Sequence, residues 1–379
     1  MKYTVASLAI VSLCLTSCGG KSKKEKSETS KETKVEVYGK LEDGREVKSF
    51  TFSNKDGVVA KVIEYGAILA GLEVPDKNGI VKDVTHGYDD LAGWLTNSSY
   101  FGASVGRYGN RIAAGKFSID GKEYTLVTNN DANHLHGGTV GFDKVLWKGK
   151  AIDGGVELTY TSKDGEEGYP GNLDLTVTYS LNDKNELKWT VKAATDKATP
   201  INVVQHAYWN LSGDPTTSIN DHELTIAADN FLPTDEGLIP TGKFGPVEGS
   251  PFDFTKATVI GERIDEPSLP LKLGKGYDHC WVLREGKGVR FAAKLRDPKT
   301  GRTMELSTEQ PGIQFYGGNF LDGTSTGKGG VKYAHRTACC LETQFFPDSP
   351  NKQENPAFPS CILKPGDTYN HTMVSKFSW

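Results

Sequence analysis

The chain has 379 residues, a formal net charge of −4 and 24 % charged residues. Its only basic run lies near the amino terminus, so the composition argues against a nucleic-acid surface and is compatible with a small neutral ligand. The length allows one large domain or two ordinary ones and does not decide between them.

The first 18 residues predict an export signal. Lys2 precedes an apolar run over residues 5–15, which is shorter than the roughly 18 residues that a membrane-spanning helix needs. The run ends in LTSCG, which is typical of a lipoprotein cleavage site, with Cys18 as the lipidated first residue of the mature chain. A retained transmembrane helix is the alternative that the short run disfavours. We therefore expect an exported protein that a lipid anchors to a bacterial membrane, facing the periplasm.

Residues 19–34, GGKSKKEKSETSKETK, consist almost entirely of Lys, Glu, Ser and Thr. A segment of this composition cannot bury a core, so we predict a solvated tether. Folding then begins near Val35, and residues 35–379 hold the structured part of the chain.

Four cysteines follow the leader and the lipidation site, and none forms a Cys-x-x-Cys pair: Cys280, Cys339, Cys340 and Cys361. This spacing argues against a zinc site and against a dense disulfide framework. A single bridge in an oxidising compartment stays open. Cys339 and Cys340 are neighbours, and on a strand they would point to opposite faces.

Turn-forming dipeptides recur along the folded part of the chain, in which glycine is abundant. Pairs of Asp or Asn with Gly accept positive φ angles and therefore favour hairpin turns between short strands. They separate alternating runs at Asp56-Gly57, Asn78-Gly79, Asp120-Gly121, Asp153-Gly154 and Asp164-Gly165.

Two hairpins can be predicted in detail. In KFSIDGKEYTLV, residues 116–127, apolar and polar residues alternate on both sides of the Asp120-Gly121 turn. The same alternation runs over residues 173–179 and returns over residues 187–191. Apolar and polar residues mostly alternate with a period of two, and no long helical stripe of apolar residues appears. Prolines interrupt the middle of the chain, and the sequence shows no repeat of fixed length. The predicted fold is an all-β, large antiparallel β-sandwich.

The motif GRYGNRI, residues 106–112, places two guanidinium groups beside glycines that allow a close backbone approach. Arg111 is our candidate for a ligand contact, because its rigid fork of donors can hold neighbouring hydroxyls. A surface turn with solvated arginines is the alternative.

The motif NHLHGG places His134 and His136 two residues apart, a spacing that puts both on one face of a strand and can also bind metal. A third ligand with a recognisable partner is missing, so we predict no metal. The glycines after His136 instead indicate a tight turn that presents its imidazole at the rim of a pocket.

Two motifs set one ionisable group each among apolar and aromatic neighbours: QHAYWNLSG around His206 and LETQFFPDSPN around Glu342. Burial of such a group costs free energy unless a partner or a role compensates, so these residues are candidates for an acid and a base. A satisfied structural histidine or glutamate is the alternative reading of each motif taken alone.

Two further motifs mix polar side chains with aromatic rings: GYDHC around Asp278 and PGIQFYGGN around Gln314. A pyranose ring has an apolar face and a polar rim, so this mixture is suited to sugar binding, although each motif could equally be a packed strand edge. The segment GTSTGKG, residues 323–329, lacks the spacing of a phosphate loop and is discarded.

Taken together, these motifs resemble the aldose 1-epimerase, or galactose mutarotase, family. The resemblance rests on eight motifs in the family's order, from Gly106 to Asn351: GRYGNRI, NHLHGG, FDKVLW, EGYPGNL, QHAYWNLSG, GYDHC, PGIQFYGGN and LETQFFPDSPN. It implies a single β-sandwich domain. It also implies Glu342 as the general base and His206 as the general acid, with five residues that hold the sugar: Asn110, Arg111, His136, Asp278 and Gln314.

The resemblance implies that the protein interconverts the α and β anomers of aldohexoses such as D-galactose and D-glucose, by ring opening and reclosure and without a cofactor. Gly109 stands where the family usually has alanine, and the role of His134 stays open. A glycoside hydrolase that uses Asp278 and Glu342, or a sugar-binding lipoprotein without activity, are the competing functions. The preferred aldose and the oligomeric state are not predicted.

Overall fold

The computed structural model describes residues 1–4 and 32–379. Met1 to Thr4 adopt no regular secondary structure, and the predicted lipidation site Cys18 lies outside the described residues. The chain from Glu32 to Trp379 lies within one compact unit. Among the described residues, no helix is both long enough and apolar enough to cross a bilayer.

Strands make up most of the regular structure. The first half of the described chain contains β1 Lys34–Lys40, β2 Glu46–Ser53, β3 Val59–Ile63, β4 Ile68–Pro75, β5 Val81–Asp83, β6 Ala103–Val105, β7 Arg111–Ile112, β8 Lys116–Ile119, β9 Lys122–Thr125, β10 His134–Leu135, β11 Lys148–Ile152, β12 Gly155–Ser162, β13 Leu173–Leu181 and β14 Glu186–Thr195. The second half contains β15 Thr199–Pro200, β16 Val204–His206, β17 Tyr208–Trp209, β18 Glu223–Ile226, β19 Ala228–Phe231, β20 Gly245–Pro246, β21 Thr258–Val259, β22 Asp278–Leu283, β23 Arg290–Arg296, β24 Thr303–Thr308, β25 Gly312–Tyr316, β26 Cys339–Gln344, β27 Ile362–Leu363 and β28 Tyr369–Ser378.

The helices are short, as the absence of a helical stripe predicted. Within residues 32–379 they are α1 Leu91–Leu95, α2 Ile260–Arg263 and α3 Leu269–Gly274. The Asp90 side chain caps α1 by accepting a hydrogen bond from the backbone of Gly93, and Ser268 caps α3 in the same way. Such caps satisfy amide donors that the first turn of a helix leaves free.

The strands pair into three main sheets, and every strand pairing is antiparallel. The largest has nine strands in the order β11-β12-β13-β14-β28-β24-β23-β18-β21. A second has six strands, β17-β26-β25-β22-β19-β20, and a third has five, β1-β2-β3-β4-β5. Short two-stranded pairs complete the fold, among them β7 with β10 and β6 with β16. The predicted antiparallel β-sandwich is confirmed.

Both hairpins predicted from the sequence are present. Strands β8 and β9 join through Asp120 and Gly121, whose φ angles are 50° and 78°, as a tight turn with two left-handed residues requires. Strands β13 and β14 pair over nine residues, with Tyr179 opposite Trp189. Their alternating apolar side chains are buried, because one face of the nine-stranded sheet covers the core.

The main hydrophobic core lies between the nine-stranded sheet and the two smaller sheets. It joins Trp189 and Met373 of the large sheet to Trp281 and Phe315 of the six-stranded sheet. On β26 the odd-numbered residues face this core, so that Thr343 Oγ1 lies 2.8 Å from Nε2 of His371 on β28. The even-numbered residues of β26 therefore face the outer side of the six-stranded sheet.

The four cysteines of the described chain are buried and unpaired. Cys339 belongs to the main core, whereas Cys340 belongs to a second apolar cluster on the outer face of the same sheet. The prediction that these neighbours point to opposite faces is confirmed, because side chains alternate along a strand.

Candidate active site

A cavity of about 170 Å³ lies on the outer face of the six-stranded sheet. Its walls contain all seven residues that the sequence analysis proposed for sugar binding and catalysis: Asn110, Arg111, His136, His206, Asp278, Gln314 and Glu342. Residues far apart in the sequence thus meet at one site. Eight further residues, which were not predicted as site residues from the sequence, also line it: Ser98, Ser99, Tyr100, Leu135, Tyr208, Tyr316, Phe320 and Leu321.

The floor of the cavity follows from strand register. Gln314 of β25 lies directly opposite Glu342 of β26, and Tyr316 lies opposite both Asp278 of β22 and Cys340 of β26. Residues opposite each other in a sheet point to the same face. The backbone ladder therefore places two carboxyl groups and an amide side by side on a rigid surface.

Glu342 is a buried carboxyl group, with 2 % of its surface exposed. Its Oε2 atom has no hydrogen-bond partner among the described residues. Burial raises the pKa of Glu342 well above its ordinary value, and the charge of Asp278 raises it further, while Arg111 lowers it. A carboxyl group without a donor in a dry site is suited to proton exchange with a ligand hydroxyl.

His206 faces Glu342 across the cavity floor. Its Nε2 atom lies 3.6 Å from Oε1 of Glu342, and its side chain is almost completely buried. Burial lowers the pKa of His206 to about 4, although its own backbone carbonyl and Asp278 favour the charged ring. An ordinary imidazole has a pKa near 6.5, and the pKa of His206 is lower because the ring is out of contact with water.

The two pKa shifts have a joint consequence. A lowered pKa for His206 and a raised pKa for Glu342 mean that, at pH values between the two, the pair holds one proton. With that proton on Nε2 the histidine is an acid and the glutamate is a base. Their distance of 3.6 Å is longer than a hydrogen bond, so each group is open to a ligand atom.

His136 stands beside this pair, with its ring centroid 5.0 Å from that of His206. The backbone N–H of Asn110 donates to Nδ1 of His136 at 3.1 Å, so the neutral ring carries its proton on Nε2. Burial holds the pKa of His136 well below its ordinary value. His136 and Gly137 have φ angles of 50° and 88°, which confirms the predicted tight turn.

The two arginines of GRYGNRI have different roles. Arg107 is 1 % exposed, and its guanidinium donates to the carbonyl of Pro170 at 2.8 Å and to Ser162 Oγ at 2.6 Å. The hydrogen bonds of Arg107 therefore connect loops inside the fold. Arg111 lines the cavity, and its Nε donates to Asn130 Oδ1 at 3.0 Å. Its terminal nitrogens have no acceptor within the described part of the chain, so they can bind ligand hydroxyls.

Asp278 and Gln314 form a polar pair on the floor. Gln314 Nε2 donates to Asp278 Oδ1 at 2.8 Å, and this bond fixes the orientation of the amide. The Oε1 atom of Gln314 is buried without a partner among the described residues. An orphaned buried acceptor costs free energy unless a ligand supplies a donor.

The expectation that His134 and His136 project from one face is wrong. Strand β10 ends at Leu135, and the left-handed conformation of His136 turns the chain away from the strand. His134 is not part of the cavity wall. Its Nδ1 lies 2.7 Å from the carbonyl of Val127 and its Nε2 lies 2.6 Å from the hydroxyl of Tyr169, so its role is structural.

His206, Cys340 and Glu342 each offer one metal-ligating atom, and these atoms lie within 4.8 Å of one another. However, Nε2 of His206 faces Glu342, whereas its Nδ1 faces the sulfur of Cys340 at 3.6 Å. Burial also holds the pKa of the Cys340 thiol well above its ordinary value, which disfavours the thiolate that a metal requires.

Aromatic rings complete the walls. Tyr208 stacks on His206 with ring centroids 5.3 Å apart, and Tyr316 stacks on Phe320 at 5.9 Å. Phe320 lies at the mouth of the cavity and is 49 % exposed. Tyr208 and Tyr316 occur inside recognisable motifs. Tyr100 and Phe320 come from loops without a sequence signal, and only the fold brings them to the cavity.

Comparison with known proteins points to one family. A profile of the aldose 1-epimerase family matches residues 48–376. The chain is 45 % identical to mouse galactose mutarotase over 342 residues, which cover 90 % of this chain and 97 % of the mouse protein. It is 38 % identical to Escherichia coli aldose 1-epimerase, with coverage of 88 % and 96 %.

Solved structures show the same fold. An aldose epimerase homologue from Caenorhabditis elegans superposes with a TM-score of 0.80 at 31 % identity, over 86 % of this chain and 97 % of the nematode chain. Galactose 1-epimerase from Lactobacillus acidophilus also superposes with a TM-score of 0.80, at 28 % identity and with coverage of 92 % and 99 %.

Proposed function

Because the chain belongs to the aldose 1-epimerase family and is an isomerase that interconverts sugar anomers, we propose that Glu342 and His206 perform the two proton transfers of this reaction. The observation that carries the proposal is their arrangement. Oε1 and Nε2 face each other at 3.6 Å on the floor of a sugar-sized cavity, and the pair shares one proton. D-Galactose and D-glucose are the proposed substrates, because the similar proteins bear galactose mutarotase and aldose 1-epimerase names.

Ring opening moves two protons. Glu342 as carboxylate takes the proton from the hydroxyl on C1, while His206 donates the proton on Nε2 to the ring oxygen and the bond between C1 and that oxygen breaks. The aldehyde then rotates about the C1–C2 bond. Reclosure on the other face returns both protons, so the pair ends as it began and no cofactor is consumed.

Substrate binding itself prepares the reactive state. A hydroxyl that donates to Oε2 of Glu342 stabilises the carboxylate, and the nearby guanidinium of Arg111 does the same. The shared proton then resides on His206. His136 donates from Nε2 to an oxygen of the sugar, and Asp278 with Gln314 binds hydroxyls on the opposite rim.

Polarimetry tests this proposal directly. Freshly dissolved α-D-galactose and α-D-glucose are followed with the chain from Gly19 onward and with Glu342→Gln. Faster approach to an unchanged equilibrium rotation with the wild type alone supports the proposal, and the two rates rank the sugars. Wild-type rates equal to those in buffer contradict it.

A glycoside hydrolase is the weaker alternative, because Glu342 faces the imidazole of His206 at 3.6 Å and the family comparison indicates an isomerase. Release of free sugar from an aryl galactoside would favour the hydrolase. A sugar-binding protein without activity would bind galactose but leave its anomers unchanged.

We further propose that the protein is exported and that a lipid on Cys18 anchors it to a bacterial membrane, facing the periplasm. The support is the LTSCG sequence after a short apolar run, together with a fold that begins only at β1. Labelling with a radioactive fatty acid tests this. We expect label on the wild type and none on Cys18→Ala, and equal labelling of both would contradict the anchor.

A further inference from the structure

His206 has a second neighbour on the side away from Glu342. The Sγ atom of Cys340 lies 3.6 Å from Nδ1 of His206, and Cys340 is completely buried. Cys340 and Glu342 occupy alternate positions of β26, so they point to the same face. One strand therefore presents a carboxyl group to one ring nitrogen and a thiol to the other.

The proposed reaction restricts which nitrogen holds the permanent proton. If the single proton of a neutral His206 resided on Nε2, its donation to the sugar would leave an imidazolate, which is far too basic to form at neutral pH. An acid that works from Nε2 must therefore keep a proton on Nδ1 throughout. That buried N–H needs an acceptor, since an unpaired buried donor is costly.

Two acceptors are close to Nδ1. One is the backbone carbonyl of His206 itself, which already accepts a hydrogen bond from the amide of Gly102 at 2.9 Å. The other is the sulfur of Cys340. Burial keeps the pKa of this thiol well above its ordinary value, so the sulfur retains its own proton and does not take the proton of the ring.

We infer that Cys340 is a positioning residue for catalysis, whose sulfur accepts the Nδ1–H of His206 and thereby keeps the lone pair of Nε2 directed at Glu342 and the sugar. The inference rests on the proposed function, because it concerns the same proton transfer. His136 provides the contrast within the site. Its Nδ1 accepts from the backbone of Asn110, so the two histidines are held in opposite tautomers.

Cys339 offers a matched control. It is the neighbouring residue on β26, it is equally buried, and it faces the core rather than His206. Cys340→Ala removes the sulfur acceptor, Cys340→Ser replaces it with a hydroxyl acceptor, and Cys339→Ala makes the same volume change on the other face of the strand.

Long-range ¹H–¹⁵N spectra of the labelled protein report the tautomer, with the His206 signals assigned by their loss in His206→Asn. We expect Nδ1–H in the wild type, in Cys340→Ser and in Cys339→Ala, and a shift toward Nε2–H in Cys340→Ala. We expect kcat of Cys340→Ala to fall about tenfold with KM nearly unchanged, because loss of a group that orients a catalytic residue typically costs ~10-fold to 100-fold. Cys340→Ser should recover most of this loss.

A Cys340→Ala variant that keeps both the Nδ1–H tautomer and its kcat overturns the inference. The backbone carbonyl of His206 would then be a sufficient acceptor for the Nδ1–H. An equal loss of kcat in Cys339→Ala also overturns it, because the effect would be one of packing. Failure of the proposed function is a separate result. It would appear as a wild type without mutarotation, whatever tautomer the spectra show.

Discussion

Gln314 and Glu342 lie directly opposite each other on neighbouring strands, and each keeps one buried side-chain oxygen without a hydrogen-bond partner among the described residues. Two adjacent orphaned acceptors on a rigid sheet are costly in a folded protein. A ligand that carries several hydroxyl donors satisfies both at once. The arrangement thus favours a polyhydroxylated substrate over an apolar one. It also places the proposed base, Glu342, where its unpaired oxygen can accept a hydrogen bond from the sugar.

The first prediction concerns the catalytic pair. Glu342→Gln and His206→Asn should each lower kcat by about 100-fold to 10,000-fold, since each removes one positioned proton-transfer group. The free energy of unfolding should stay the same or rise for Glu342→Gln, because the amide avoids the cost of burying an ionisable carboxyl group and, secondarily, the repulsion from Asp278. Polarimetry and thermal unfolding measure the two effects.

Glu305→Gln is a suitable control, because Glu305 is a partly exposed residue that pairs with Lys294 on the surface of the nine-stranded sheet. It should leave kcat unchanged. Near-normal turnover in a folded Glu342→Gln protein would contradict the assignment of the base.

The second prediction is the pH dependence of kcat/KM, which reports the pKa values of the free enzyme. The pair is active with one proton, so activity falls when it gains a second proton or loses the first. In the free enzyme the second proton goes to His206, whose pKa burial lowers to about 4, so kcat/KM should hold through weakly acidic pH and decline only toward about pH 4. The raised pKa of Glu342 moves loss of the first proton upward from the ordinary carboxyl range. A broad plateau around neutrality is therefore expected.

Other groups face this pair from the surrounding elements, namely Asp278, Arg111, His136, the Cys340 thiol and the phenols of Tyr100, Tyr208 and Tyr316. Burial keeps the pKa of the Tyr208 and Tyr316 phenols above the ordinary value, so they stay neutral across the plateau. Burial keeps the pKa of the thiol and of the Tyr100 phenol above the ordinary value as well. An acid limb centred near pH 6.5, with the fold intact by circular dichroism, would contradict the prediction.

The third prediction separates the two arginines of one motif. Arg107→Met leaves the carbonyl of Pro170 and the hydroxyl of Ser162 without their charged donor, so the free energy of unfolding should fall by about 3 kcal/mol or more. Arg111→Met should change it by less than about 1 kcal/mol, because the side chain borders the cavity. Its kcat/KM should instead fall by about 100-fold through lost sugar contacts.

Chemical denaturation and polarimetry of both variants measure the contrast. Each variant is the control for the other, since both carry the same substitution four residues apart. Equal loss of stability in the two variants would contradict the assignment of Arg111 to the sugar.

The sequence predicted the fold well because its strongest signals are local. Such signals are the alternation along β13 and β14 and the Asp120-Gly121 turn. They extend over only a few residues, so they can be recognised without knowledge of the tertiary structure. The residues of the site could be named from motifs, and the fold then brings all seven to one cavity.

What the sequence could not predict depends on long-range packing. The pKa of His206 follows from complete burial, and the tautomer of His136 follows from one backbone amide, that of Asn110. The structural role of His134 depends on Tyr169, which is 35 residues away. Tyr100 and Phe320 lie on loops, and the packing of these loops against the rest of the fold brings both residues to the cavity.

The fourth prediction concerns stability in acid. Seven described histidines are buried with lowered pKa values. The pKa is about 3 for His86 and His371 and about 4 for His206, His222 and His279, and burial also lowers it for His134 and His136. In the unfolded chain their pKa values return to about 6.5. Between these values the unfolded state binds more protons, so the free energy of unfolding is highest above pH 6.5 and falls as the pH decreases toward 3.

Urea unfolding at a series of pH values measures this slope. His371→Gln should make it shallower, because the variant removes one of the groups that must be protonated, although the lost contact with Thr343 lowers stability at neutral pH. A free energy of unfolding that stays constant from pH 7 to pH 4 would contradict the prediction.

The fifth prediction tests how the backbone positions His136. A Cβ atom on Gly137 would lie 1.7 Å from the carbonyl oxygen of Gly106, and the φ angle of 88° is itself unfavourable for alanine. Gly137→Ala must therefore displace the turn, lower the free energy of unfolding by more than about 2 kcal/mol and raise KM, because His136 moves with it.

Gly121→Ala is the matched control, since Gly121 has a φ of 78° and open space around its Cβ position. It should cost about 1 kcal/mol from backbone strain and leave kcat and KM unchanged. If Gly137→Ala behaved like Gly121→Ala in both measurements, the close contact with Gly106 would not be what holds His136 at the cavity.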